Sequence, residues 1–462
     1  MSTLKKLVYL PIETKSREFD AKCLIALGLL EEDMAVLIGS AGISRVNNPG
    51  VVLFKSAAGF EHPNILRFKN KNMKCAVLDE EGFVQTKNEK QRALRYSQQT
   101  IDLLDSIFFN GEAEKELLGK FYEIPADKGL VTGNTRFDFY KPALNKYYYN
   151  QASSLREKHG KYILITSRFG NVTPARNVGY LDFIKNTRVI QDESDLKIFS
   201  DFFNHSKKIY QSFIELIPDL SKAFNDYAII IRPHPSESIA AWTEAARGQG
   251  NVKVISDGPI APWVLGASAI LHNGCTTGLE AFLMQRPVFS FMPYTSDEFD
   301  LKLPNEVSTQ CFTKESLLDS MHKVLNTSLV VQDDMDSKVQ FASFYLANAG
   351  ASYAYKKIAK GLSTLAQEQP FAEVSTIVQP ILSRLKNKIR KVRTFIAIQM
   401  HGLQIPLPSI FQEGYYDYQK NPGFSKVEIQ SNLLILSELA GVNLAGLVIR
   451  KLDEDLFLVY KK

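Results

Sequence analysis

Three short segments of the sequence combine residue types that hold an anion. Arg232-Pro233-His234-Pro235-Ser236-Glu237 closes the apolar run Tyr227–Ile231. The two prolines stiffen the turn, so a guanidinium and an imidazole are held with little freedom left to lose, which suits a phosphate or phosphodiester. A second segment passes from the apolar Ile270-Leu271-His272 through Asn273-Gly274 into Cys275-Thr276-Thr277-Gly278-Leu279-Glu280. Its pattern predicts a strand and then a helix over Thr276–Met284. The first amides of that helix and the hydroxyls of Thr276 and Thr277 would meet nucleotide phosphates, Gly274 and Gly278 would admit them, and Glu280 would accept from ribose hydroxyls. An ordinary helix cap would use the same Thr276. The third segment, Ser167-Arg168-Phe169-Gly170, follows the apolar Tyr162–Thr166 and adds a hydroxyl and a cation.

Carboxylates cluster earlier in the chain. Cys75–Leu78 runs into Asp79-Glu80-Glu81-Gly82, where burial and like charge could raise an acid toward the working range of a general base. An acidic surface turn would read the same way. Glu13 is the first charged residue after the run Leu7–Ile12, and Lys15, Arg17 and Asp20 follow it, although Ser16 with Glu18 and Asp20 could equally serve to cap a helix. Asn134 and Arg136, with Asp138, follow Gly129–Thr132 as either ligand contacts or a structural turn.

The elements that must position these residues alternate. Strands are expected at Leu7–Ile12, Ala35–Ile38, Val51–Phe54, Cys75–Leu78, Ile107–Phe109 and Gly129–Thr132. A second series is expected at Tyr162–Thr166, Tyr227–Ile231, Val252–Ile255, Ala269–His272 and Val288–Phe291. Helical stretches separate them, among them one carrying Phe19, Cys23, Leu27 and Leu30 on one face and others at Ser153–His159, Glu193–Phe224 and Ser238–Arg247. These series predict an α/β chain of two facing Rossmann-like domains, residues 1–150 and 151–345, with a helical and mixed extension over 346–462. In such sheets ligands bind beyond the carboxyl ends of strands, and the candidate residues stand there.

Other classes recede. Neither G-x-x-x-x-G-K-[ST] nor G-x-G-x-x-G occurs, which argues against kinase and dehydrogenase chemistry. Cysteines at 23, 75, 275 and 311 form no C-x-x-C pair, so neither a zinc site nor a disulfide framework is indicated, and a reducing compartment fits. With 55 basic against 50 acidic residues, a net charge of +5 does not argue for nucleic acid. No apolar run is long enough for a membrane span or signal peptide, so the cytoplasm is the expected compartment. Residues 384–393 carry six cations and no acid, and Leu385, Ile389, Val392 and Ile396 recur at helical spacing. That describes either a packed surface helix or a basic amphipathic helix touching anionic lipid on the inner face of the membrane.

Taken in order, PIETKSREFD, DEEG, TGNTRFD, ITSRFGN, RPHPSE, HNGCTTGLEA and RPV resemble bacterial surface carbohydrate biosynthesis proteins of glycosyltransferase-B fold, over Leu7 to Pro293. More distantly the chain is similar to enzymes that transfer Kdo, sialic acid and other ulosonic acids from CMP donors, and to the glycerophosphotransferases of teichoic acid synthesis. The resemblance implies a nucleotide-sugar glycosyltransferase of capsule or lipopolysaccharide assembly, without cofactor or metal, acting on a glycan or lipid-linked glycan. It matches Glu80 and Glu81 to the catalytic acidic pair, His234 with Pro235 to the contact with CMP phosphate, and Thr276 and Thr277 to a hydroxyl pair that is more often serine. If the reaction retains configuration, the carboxylate that bonds the sugar could be Glu13, Glu80, Glu81 or Asp138. A UDP-sugar transferase or epimerase, a CDP-glycerol glycerophosphotransferase and a non-catalytic glycan-assembly protein are the alternatives.

Overall fold

Runs such as Leu7–Pro11 and Tyr162–Thr166 are apolar, β-branched or aromatic, and free of charge, the pattern of parallel strands covered on both faces. The computed structural model describes residues 3–80, 89–93, 95–175, 179–185, 193–327, 334–378, 389, 392–400, 408 and 421–462, and both runs are strands almost wholly buried within it. The chain forms two units. The first holds Met1–Phe83, Lys90–Phe139 and Ser343–Lys462, and the second Val84–Glu89 and Tyr140–Ala342.

In the first unit the strands are β1 (Leu4–Lys5), β2 (Leu7–Pro11), β3 (Ala35–Gly39), β4 (Val51–Phe54), β5 (Lys74–Leu78), β6 (Ser106–Phe109) and β7 (Gly129–Val131). Strands β3-β2-β4-β5-β6-β7 lie side by side and parallel, so the order reverses between β2 and β4. The second unit has β8 (Tyr162–Thr166), β9 (Ala228–Arg232), β10 (Val252–Val254), β11 (Ala269–His272), β12 (Val288–Phe291) and β13 (Thr309–Cys311). Its order is β10-β9-β8-β11-β12-β13, again all parallel, with the reversal between β8 and β11. Both units are therefore doubly wound, Rossmann-like α/β structures.

The C-terminal region differs from the separate extension expected over 346–462, because it completes the first unit. β14 (Ala372–Glu373) pairs with β1, and the hairpin of β15 (Leu447–Asp453) and β16 (Leu456–Lys461) adds to the edge of β3 in antiparallel register. The helix Lys15–Glu31 is buried along most of its length because the helices Ala354–Gln367 and Lys426–Ala440 both pack on it. Ser425 and Glu428 form a capping box that starts the second of these helices. The boundary between the units also falls earlier than residue 150, since Asn145–Tyr148 and the helix Tyr149–His159 already belong to the second. Of the basic run 384–393, only Ile389, Val392 and Arg393 fall among the described residues, and Ile389 and Val392 are exposed. Among the described residues no helix is long and apolar enough to cross a membrane.

Candidate functional site

The three anion-binding segments all follow neighbouring strands of the second unit. Ser167–Gly170 extends β8, the Arg232–Glu237 turn extends β9, and Asn273–Thr276 extends β11, so they gather at the carboxyl edge beside the point where strand order reverses. Across that point Thr166 Oγ1 and Cys275 Sγ lie 3.1 Å apart and hydrogen-bond.

Glu237, not singled out from the sequence as a site residue, organises two of these loops. Its buried carboxylate accepts from Ser167 Oγ (2.8 Å), the Phe169 amide (2.9 Å), the His234 amide (3.2 Å) and Trp242 Nε1 (2.8 Å). Phe169 packs on Tyr210, Phe213 and Trp242, anchoring the loop beside Arg168. Ser167 is thus a support of the loop, and the expectation that its hydroxyl meets a phosphate is corrected, because Glu237 already receives that donor.

Arg232 is corrected in the same way. Its guanidinium donates to the carbonyls of Asp257 (2.7 Å), Gly258 (2.8 Å) and Ser256 (3.4 Å) and lies 4.9 Å above the Trp263 ring. It fixes the 256–258 turn, and burial lowers its pKa from the usual arginine value. Thr277 is buried with its hydroxyl and amide directed to the Cys275 sulfur. The helix begins at Thr277 and ends at Leu283, too short to give its N-terminus a strong field.

Both glycines of this loop serve the backbone. Gly274 takes φ +81°, and its amide donates to His272 Nδ1 at 2.9 Å. At Gly278 a Cβ would come within 2.4 Å of His272 Nε2. His272 is fully buried, hydrogen-bonds Ser308 Oγ at 2.9 Å, and has its pKa pushed down to about 3 by burial, so it is a neutral packing residue. Glu280 is buried on the same short helix, beside Cys275, instead of being displayed for a ribose.

Four polar groups stay open. The Arg168 guanidinium makes no hydrogen bond or ion pair among the described residues, and burial lowers its pKa. His234 Nδ1 accepts from the Ser236 amide (3.2 Å) and faces Ser236 Oγ at 2.8 Å, which assigns the proton of the neutral ring to Nε2, an N–H with no partner among the described residues. Burial, opposed by Glu237 and aided by the charge of Arg168, holds the His234 pKa below the ordinary value. The Asn273 amide oxygen is buried without a partner, and the Thr276 hydroxyl caps nothing. Arg168 and Asn273 line one small cavity with His205 and Asp300, themselves paired at 3.0 Å. His205 carries no motif in the sequence, and only the packing of its long helix places it there.

In the first unit the expected site charges are mostly paired. Glu80 meets the fully buried Lys22 ammonium at 2.8 Å, and Asp79 is held by Arg95 through two hydrogen bonds of 2.6 and 2.7 Å. Glu81 lies outside the described residues. Glu13 pairs with Lys55 at 2.5 Å, across the reversal between β2 and β4. The two residues line an open cavity of about 610 Å³ with Arg45, Arg67 and Lys71. Lys15 binds the Gly423 carbonyl and Glu428, while Asp20 accepts from Asn432, so both dock the C-terminal helix. Arg17 lies against Glu18, whose carboxylate caps the amides of Glu13 and Thr14. Asn134 is buried, bonded to Asn110 and Asn348, and Arg136 stacks on Phe137 at 5.0 Å. Asp138 is fully buried and accepts from Asn348 Nδ2 and the amides of Ala354 and Tyr355, which removes it from the carboxylates able to reach a sugar.

The carboxyl pushed toward neutrality is one that sequence reasoning passed over. Burial and the neighbouring Asp79 raise the Glu114 pKa to about 7, against hydrogen bonds from the Asn110 amide (2.6 Å), Asn110 Nδ2 (2.9 Å) and Tyr96 OH (3.0 Å). Among the described residues no three His, Cys, Asp or Glu side chains gather as a metal site.

No protein-family model matches the chain, and no curated protein sequence does. Solved structures do. The UDP-GlcNAc 2-epimerase from Methanocaldococcus jannaschii is 16% identical over 75% of this chain and 82% of its own, with a TM-score of 0.44. The UDP-GlcNAc 2-epimerase from Neisseria meningitidis, solved bound to UDP-GlcNAc, is 13% identical over 79% of this chain and 99% of its own, with a TM-score of 0.43. The wall teichoic acid polymerase TagF is 12% identical over 79% and 90%, with a TM-score of 0.44. At this degree of likeness none of their activities is carried to this chain.

Proposed function

We propose that the chain is a glycosyltransferase of surface polysaccharide or lipopolysaccharide assembly that uses a CMP-activated ulosonic acid. The observation supporting it is the gathering of Arg168, His234, Asn273 and Thr276, open and on three adjacent loops, at the strand-order reversal of the second unit. In the transfer an acceptor oxygen bonds the anomeric carbon as the bond to the CMP oxygen breaks. The acceptor proton passes to a carboxylate, and CMP leaves with the electron pair. Negative charge grows on the phosphate, where a guanidinium and an imidazole N–H stabilise the transition state more than the ground state. One cation with neutral donors matches the single phosphate of CMP better than the pyrophosphate of a UDP-sugar. The base is assigned to Glu80 or Glu81 by resemblance, with Glu13 on the acceptor side, and no metal or cofactor has a role.

A donor screen with a glycan acceptor tests the reading. CMP release is expected from CMP-ulosonates, falling at least about a hundredfold in Arg168→Ala and His234→Ala, the scale of losing one transition-state donor. Release of UDP or transfer of glycerol phosphate would replace the donor class. Unchanged turnover in Glu80→Gln, Glu81→Gln and His234→Ala would remove the site assignment. A wild-type chain inert to every nucleotide donor would mark a binding or assembly protein.

A further inference from the structure

Arg156, Lys161 and Arg286 surround an open cavity of about 670 Å³ on the second unit. Lys161, Tyr227, Ser268 and Pro287 line it, and each precedes its strand (β8, β9, β11 or β12) by one residue. The cavity therefore opens at the amino edge of the sheet, the length of a five-residue strand, about 16 Å, from the loops that carry Arg168 and His234. Arg286 opens the R-P-V segment that the donor reading leaves without a role.

The charge around this cavity is unbalanced. No Asp or Glu is among its described lining residues. Arg156 and Lys161 make no ion pair or side-chain hydrogen bond among the described residues. Arg286 donates from Nη2 to the Ala267 carbonyl, while its Nε is buried without a partner. Burial and the nearby Arg156 charge both lower the Arg286 pKa. Gln285, just before it, takes φ 55°, a left-handed conformation seldom adopted by such a residue. Gathering like charges is unfavourable, and an anion would reverse the sign.

We infer that this cavity is a second anion site, separate from the donor loops, which takes a small soluble molecule bearing a phosphate or pyrophosphate. Guanidinium forks fit phosphate oxygens, the volume falls within the roughly 300–1,000 Å³ of small-molecule sites, and Tyr227, Val324 and Leu325 supply a wall for the uncharged part of the ligand. The inference does not depend on the identity of the donor.

Isothermal titration of the full chain with inorganic pyrophosphate at low salt tests it. One binding event should persist in Arg168→Ala and weaken at least about tenfold in Arg156→Glu/Lys161→Glu, a loss of about 1.4 kcal/mol. Both substituted side chains are exposed, and unchanged thermal melting would show that the variant folds. Absence of binding, or binding lost in Arg168→Ala and intact in the double variant, would overturn the inference. Binding to phosphatidylglycerol vesicles that is sensitive to the double variant, with none to pyrophosphate, would instead assign the site to a lipid headgroup and overturn the soluble ligand.

Discussion

The carboxyl edges of the two sheets are rich in charge and use it in opposite ways. In the first unit, Glu13, Lys15, Asp20, Asp79 and Glu80 each have a partner of opposite charge or a hydrogen-bonding side chain in the same unit, and Asp138 caps a helix from far along the chain. In the second unit, Glu237 and three backbone carbonyls absorb Ser167 and Arg232, but Arg168, Asn273, Thr276 and His234 Nε2 are left over. A satisfied charge holds structure together, whereas an unsatisfied one at a strand-order reversal is available to a ligand. The same residue types are therefore mostly paired on one unit, the proposed base Glu80 included, and left unpaired on the other.

The largest effect that separates the two is expected at Asp138. Asp138→Ala strands Asn348 Nδ2 and the Ala354 and Tyr355 amides inside the protein, and denaturant titration should show a loss of about 3 kcal/mol. Stability unchanged by this substitution would break the assignment of the first-unit edge to assembly.

Glu114 gives a pH-dependent contrast. Its folded pKa lies above the usual carboxylate value, so its neutral form favours folding. That contribution is complete below about pH 4.5 and is lost as pH rises toward 7. Glu114→Gln should therefore match the wild type at pH 4 and exceed it above pH 7 by roughly 2 kcal/mol, since part of the residue reaches solvent. Equal stability curves across that range would contradict the raised pKa.

The smallest effect is expected at Arg168. Because this cation has no partner to lose, Arg168→Ala should leave the melting temperature unchanged or slightly higher, within about 0.5 kcal/mol, while donor binding falls. A large loss of stability would move Arg168 into the assembly class and erase the contrast.

Much of the fold was legible because its signals are local. Strands such as Val51–Phe54, Tyr162–Thr166, Ala269–His272 and Val288–Phe291 appear with the bounds their apolar runs predict. β13 was missed because Thr309-Gln310-Cys311 is short and polar. The hairpin of β15 and β16 was missed as part of the sheet because its partner, β3, lies about 420 residues earlier, and register at that separation leaves no trace in periodicity. The candidate site was legible as three loops, since turn chemistry after a strand is also local. Which atoms in those loops stay unpaired was not, because Arg232 and Ser167 carry the same donors as Arg168 and Thr276 and differ only in what packs beside them.

By itself the sequence determined two doubly wound units and the placement of Arg168, His234, Asn273 and Thr276 beyond strand ends, because hydrophobic period and strand propensity act over a few residues. Only the tertiary structure decided the allocation of charge. Lys15 reaches Glu428 across 413 positions and Asp138 reaches Tyr355 across 217, and such pairings depend on which elements dock, not on neighbours in the chain. The open groups of the second unit are what those pairings leave behind.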